Sequence, residues 1–233
     1  MSSINNLHQD YYEKLEKGVD RLIQRLIKTP YSYYSENDLH CEQYRIFNNI
    51  GLNKSCIIKV GRKKIQSKLL HREYPTKGRY KRVKNGPSLK VKRGKRGHYD
   101  LCLWDSELTE KRQFERAGGK GEQRTKTAIE ISLNEHHNQF QWHVYWDLLK
   151  LSDPENEIQT RIILFFLRDY PYKKTKFSQN GFLSKLHLMF GKETKTHIIY
   201  VESNQDENEI WLISDTSFGN YKKYPARERT IKT

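Results

Sequence analysis

Cysteine is scarce in this chain: Cys41, Cys56 and Cys102 are odd in number, widely scattered and without a C-x-x-C pair, which argues against a disulfide framework and against a structural zinc site. Long apolar runs are missing too. The longest, Ile162 to Leu167, falls far short of the roughly 20 residues a bilayer-spanning helix needs. Residues 1–30 lack the apolar stretch of a secretory signal, so a cytoplasmic protein with no membrane partner is expected. Apolar residues are only 35% of the 233, yet 15 Tyr and 4 Trp are too many for a chain without a core. A folded core under a heavily charged exterior follows. No internal repeat is visible, and Gly118 to Gly121 lacks the spacing of a phosphate-binding loop.

Acids are almost absent from one stretch. Lys59 to Arg96 holds 16 Lys or Arg against a single acid, Glu73, and the rest of the chain carries 27 of each sign, so the net charge of +15 lies in this segment. Concentrated positive charge repels itself unless a polyanion neutralises it. Nucleic acid is the favoured partner; an anionic membrane fits less well because no amphipathic helix with an aromatic and leucine face accompanies the run. Lys63, Lys64, Arg72, Lys77, Arg79, Lys81, Arg82, Lys84, Lys92, Arg93, Lys95 and Arg96 are the expected phosphate contacts. Gly78, Gly86, Pro87 and Gly94 interrupt the bases, which reads as a basic insertion at about 77–97 forming a loop or hairpin. Tyr31, Tyr33, Tyr34 and Tyr80 lie in polar surroundings and are candidates for contact with sugars or bases.

Leu15, Val19, Leu22, Ile23, Leu26 and Ile27 recur at helical spacing over 8–28, and Pro30 ends the pattern. This predicts an N-terminal amphipathic helix within 1–34. A second helix starts at Ser35, whose spacing to Asp38 makes a capping box, and ends at Gly51. Short strands are predicted over 56–60 and 68–74. Alternation then predicts strands over 98–104 and 127–133, with a polar turn from Glu115 to Thr125 between them. A helix over 138–151, a strand over 161–167, a helix over 181–189 and strands over 197–201 and 209–214 complete an α/β domain spanning 35–218. Residues 219–233 read as a basic tail. Strand, helix, strand implies a right-handed crossover with parallel pairing. Trp142, Tyr145 and Trp146 have the helical spacing of packed side chains, and Asp147 with Lys150 reads as an exposed helix ion pair.

Asp100 and Glu130 fall on consecutive predicted strands, each opposite a row of apolar neighbours, so two carboxylates can converge at one sheet edge. Convergent carboxylates suit Mg²⁺, which takes oxygen ligands and keeps sites for water and phosphate. Beside a phosphodiester such an ion lowers the pKa of bound water and stabilises developing charge.

In chain order the motifs are S-E-N-D-L-H-C-E on a helix, L-L-H-R-E-Y-P, G-H-Y-D-L-C-L-W-D, A-I-E-I-S-L-N and D-L-L-K-L-S. Over about residues 35–167 this order resembles the PD-(D/E)XK nuclease superfamily, which includes type II restriction endonucleases. The resemblance implies a central mixed β-sheet flanked by helices and a Mg²⁺-dependent endonuclease acting on double-stranded DNA, of restriction or defence type. It implies that Asp100 is the motif aspartate, Glu130 the second metal-binding carboxylate, Glu42 or Glu36 the supporting helical acid and Glu73 a further ligand. Where the family usually has a lysine this chain has Ser132. Lys126, on the Glu130 side by strand parity, and Lys150, on the following helix, are the candidate replacements. The class and the symmetry of palindromic DNA imply a homodimer. The alternative is a non-catalytic DNA- or RNA-binding protein on the same fold.

Overall fold

The computed structural model describes residues 2–60, 62–81, 89–105, 125–134, 137–168, 196–203, 208–212 and 222–223. Among them lie three α-helices: α1 (Ser2–Lys28), α2 (Glu36–Asn49) and α3 (His137–Ser152). The strands are β1 (Ser55–Val60), β2 (Lys63–Lys68), β3 (Leu70–Lys81), β4 (Leu89–Lys90), β5 (Lys95–Trp104), β6 (Thr125–Asn134), β7 (Thr160–Arg168), β8 (Thr196–Ser203), β9 (Asn208–Leu212) and β10 (Lys222–Lys223). The large sheet has the order β10-β9-β8-β7-β6-β5-β3-β4, while β1 and β2 form an antiparallel ribbon of their own. The sheet is mixed. Strands β6, β7 and β8 run parallel, and β5 pairs antiparallel with both β3 and β6. The expected α/β architecture and the β6-α3-β7 crossover are therefore present. No helix among the described residues is long and apolar enough to cross a membrane.

Local sequence explains the elements that matter for the site. Ser35 starts α2 through its predicted box: the Ser35 backbone N–H donates to Asp38 Oδ2 at 2.8 Å, and Asp38 N–H returns to Ser35 Oγ at 3.4 Å. Gly51, at φ 79°, ends it. Gly18 lets α1 lie against α2, since a Cβ there would stand 2.4 Å from Phe47 Cε1. The two helices cover one sheet face, where Leu22, Leu39 and Phe47 pack with Leu101, Ile129, Ile131, Ile162 and Leu164. Helix α3 covers the other, where Val144, Leu148 and Leu151 meet Ala128, Ile163 and Phe165. Strand β7 is buried on both faces, which accounts for its unbroken apolar run.

The basic segment is strand for much of its length. Strand β3 extends to Lys81, beyond the predicted end at 74, and pairs with β4 and β5 through Tyr80 opposite Lys90 and Arg79 opposite Arg96. Strand β2 was not predicted. Tyr80, expected at the surface, is buried because its hydroxyl donates to Asp153 at 2.8 Å and its ring meets Trp146 edge-on. Residues 82–88, with Arg82 and Lys84, lie outside the described residues, as do 115–124, the predicted helix over 181–189 and all of the tail except 222–223.

Candidate active site

Strand register brings three acids into line. Arg72 stands opposite Leu101 and Tyr74 opposite Tyr99, so Glu73 on β3 falls beside Asp100 on β5. Leu101 stands opposite Ile129, and one step further along the same register Asp100 falls beside Glu130 on β6. Neighbouring strands are about 4.8 Å apart, so the row Glu73, Asp100, Glu130 concentrates negative charge across three strands. The backbone at Glu73 takes a left-handed φ of 49°, a conformation that costs on the order of 1 kcal/mol for a residue with a side chain.

Each end of the row has its own basic partner. At the α3 end, Glu130 is 1% exposed and Lys150 3%. The Lys150 Nζ lies 2.7 Å from Glu130 Oε1 and 3.0 Å from Asp147 Oδ1, and it donates to the His98 carbonyl oxygen at 2.9 Å. Gly97 permits that approach: a Cβ there would stand 2.7 Å from Lys150 Cδ. Burial disfavours the Lys150 ammonium, but Asp147, Glu130 and Asp100 outweigh it and raise its pKa above the usual lysine value. Burial lifts Glu130 well above the ordinary carboxylate range, with Lys150 pulling the other way. The charge on Lys150 is the firmer of the two, since three carboxylates sustain it. The expected exposed ion pair of Asp147 and Lys150 is thus a buried one.

At the α2 end, Asp100 Oδ2 accepts the Ile131 backbone N–H at 2.7 Å and lies 3.2 Å from His40 Nε2. His40 Nδ1 is 3.9 Å from Glu73 Oε1. Burial opposes charge on both groups of the His40–Asp100 pair. Their close approach wins, so the Asp100 pKa falls and the His40 pKa rises. One ligand atom from each of His40, Glu73 and Asp100 can be chosen so that all lie within 4.8 Å of one another, a spacing that fits a shared divalent ion. Two carboxylates and an imidazole suit Mn²⁺ or a similar transition ion as well as Mg²⁺.

Of the two helical acids, Glu42 is not brought to the row. It pairs with Arg25 and Arg45, the latter at 2.8 Å, because it lies about 200° around the helix from His40. Glu36, four residues before His40 and so on nearly the same face, accepts the Leu133 backbone N–H at 3.3 Å and lies 3.9 Å from His143 Nδ1. Burial raises its pKa, with His143 opposing. His143 also lies 3.9 Å from Asp147 Oδ2. Lys126 is likewise elsewhere: its amine sits over the Tyr11 ring, 4.0 Å from the centroid. Ser132 is fully buried, and its hydroxyl finds no hydrogen-bond partner among the described residues. The amine beside Glu130 comes from Lys150.

The row forms part of a cleft of about 1090 Å³, whose lining combines Glu73, Asp100, Glu130, Asp147, Lys150 and His143 with the bases Arg79, Lys81, Lys92, Arg93, Lys95 and Arg96. Those six bases are the expected phosphate contacts that the fold gathers at the site. Arg72 is tied to Asn37 and Cys41 of α2, and Lys77 pairs with Glu157 at 3.1 Å. Lys63 and Lys64 lie on the ribbon, outside the cleft lining. The sequence pattern assigns no role to His40 or His143, and it offers Lys150 both as half of an exposed ion pair and as a replacement for the lysine missing at Ser132. The signal for His40 was present in its i+4 spacing from Glu36. No family model matches the chain, and neither a curated protein nor a solved structure matches it.

Proposed function

We propose that the protein is a divalent-metal-dependent endonuclease that hydrolyses phosphodiester bonds in double-stranded DNA, with a PD-(D/E)XK-like site on a restriction-endonuclease-like sheet. The observation that carries the reading is one cleft lined by a row of three acids, a buried lysine and six bases. Glu73, Asp100 and His40 would hold the ion, with Glu130 next in the row. When bound, such an ion polarises a phosphate and lowers the pKa of its water. Lys150 stays protonated near neutral pH, so it acts as a hydrogen-bond donor that orients water or stabilises charge on a phosphate oxygen, and not as the base. The bases of the cleft hold the backbone: phosphate contacts position the duplex and carry most of the affinity.

A second reading has one observation in its favour. Lys150 is already engaged by Glu130, Asp147 and a backbone carbonyl, as in a structural triad, which suits a DNA-binding module without catalysis. Incubating the protein with supercoiled plasmid and Mg²⁺ or Mn²⁺, beside Asp100→Ala, separates the two. Nicking that disappears in the variant while plasmid retardation persists is the expected result; retardation without nicking under either ion leaves the binding module.

A further inference from the structure

The ribbon β1–β2 stands outside the large sheet and outside the cleft lining. Its inner face has a packing role: Cys56 and Ile58 are buried against Leu69 and Trp104. Its outer face has no such partner. Register places Lys59 opposite Lys64, Ile57 opposite Gln66 and Ser55 opposite Lys68, and all six of these residues are exposed. Ile57 is 48% exposed, an unusual position for a large apolar side chain between lysines. From Lys54 to Lys68 the chain has six Lys or Arg and no acid.

A like-charge pair directly across two strands destabilises the ribbon that carries it. Lys59 and Lys64 form such a pair, and Arg62 and Lys63 add charge at the turn. The ion pairs of the described residues lie on other elements, so among the described residues no carboxylate is paired with Lys59 or Lys64. A charge pattern that costs folding stability is accounted for when its counter-ion is a ligand.

We infer that the outer face of this ribbon is a second contact for double-helical DNA, entering the major groove with Lys59 and Lys64 on phosphates and with Ile57 and Gln66 facing base edges. A two-stranded antiparallel ribbon is one of the shapes that the major groove of B-DNA admits. Gln is suited to adenine and an apolar side chain to the thymine methyl. Reach is adequate. The ribbon is joined to the sheet by Leu69 N–H to the Lys54 carbonyl and Trp104 N–H to the Leu69 carbonyl. From there it is four residues to Glu73 and five out to Lys59, so the ribbon lysines stand within about 30 Å of the acidic row. That is less than one turn of duplex, about 34 Å. The inference rests on duplex DNA being the ligand and is independent of whether the cleft cuts it.

Fluorescence anisotropy in EDTA tests it, with the full chain, a 30-base-pair DNA, a 30-base-pair RNA duplex and the double variant Lys59→Ala/Lys64→Ala. Loss of two phosphate contacts lowers the slope of log affinity against log salt by about 2 on DNA. Binding to the RNA duplex is expected to change little, because its deep, narrow groove does not admit the ribbon. Lys64→Glu adds a readout that a merely structural role would not give: it relieves the like-charge pair and raises the melting temperature while weakening DNA binding. Plasmid nicking is read in parallel, and the double variant is expected to need more protein than the original chain to reach the same rate. If no variant nicks, the cleavage reading fails while the salt slope still decides the ribbon. An unchanged slope on DNA, an equal loss on RNA, or weaker binding by Lys64→Glu together with a lower melting temperature would each overturn the inference.

Discussion

Replacing Lys150 with methionine tests the centre of the site. The change keeps an unbranched chain of similar length and removes only the charge and its hydrogen bonds. It leaves Glu130 and Asp147, each with a side chain at most 2% exposed, without their cation, and it frees the His98 carbonyl. Breaking one side of a buried ion pair typically costs about 3–5 kcal/mol, because the surviving charge is stranded. For a chain of this size, with a urea dependence near the upper end of the usual ~1–3 kcal/mol/M, the unfolding midpoint drops by roughly 1–2 M. Glu130 supplies the sign of the pH effect. Its folded pKa is raised, so the native state holds its proton more tightly than the unfolded chain does, and stability declines as pH rises through that pKa. In Lys150→Met the deficit is therefore smaller at pH 5 than at pH 8, and adding Glu130→Gln recovers part of it. A midpoint shift worth under about 1 kcal/mol, with no pH dependence and no recovery, would refute the buried ionic triad.

Ser35→Ala removes one arm of the capping box and is expected to cost about 1 kcal/mol in urea unfolding. Gly97→Ala pushes a methyl group into the Lys150 stem at 2.7 Å; a loss of about 1–3 kcal/mol is expected, and it should shrink in the Lys150→Met background, where double-mutant unfolding reads the coupling. Burial depresses the His197 pKa from 6.5 to about 4, so the unfolded chain binds that proton first and stability falls as pH drops from 6.5 to 4. His197→Asn is expected to flatten that limb of a melting-temperature profile. His40→Ala removes the imidazole from the His40, Glu73, Asp100 cluster and is expected to weaken Mn²⁺ binding by calorimetry more than Mg²⁺ binding, since the hard ion depends less on nitrogen.

Much of the fold was legible because local chemistry and tertiary structure agree where it matters. Ser35 and Gly51 bound α2, alternation reveals β5 and β6, and the apolar run of β7 marks a strand buried on both faces. Strand β2 escaped notice because Lys63 to Lys68 has neither alternation nor β-branched enrichment; pairing with β1 makes it a strand. Tyr80 was misjudged for a related reason. Its neighbours in sequence are bases, whereas its neighbours in space are Asp153, Asn156 and Trp146. The acids were easier than their cations. Strand parity places Asp100 and Glu130 on one side, but the partner of Glu130 comes from a helix about 20 residues later. Asp147 and Lys150 resemble any surface pair at i and i+3 until one notes that Asp147 lies only about 40° around the helix from the buried Leu151.

The charge arrangement has a consequence for how a polyanion can occupy the cleft. Glu73 and Asp100, with Glu130 next to them, oppose the approach of a phosphate to the row. Lys150 and His40 offset part of that negative charge from the two ends, yet Lys150 is divided among Glu130, Asp147 and a carbonyl, and His40 between Asp100 and Glu73. What is left is a net negative centre in a cleft that six bases also line. On the proposed reading, a divalent ion held by His40, Glu73 and Asp100 would offset that charge, and the bases would hold the flanking phosphates. A purely structural triad explains Lys150. It does not explain why Glu73, with its left-handed backbone, stands beside Asp100 in a cleft that arginines and lysines also line.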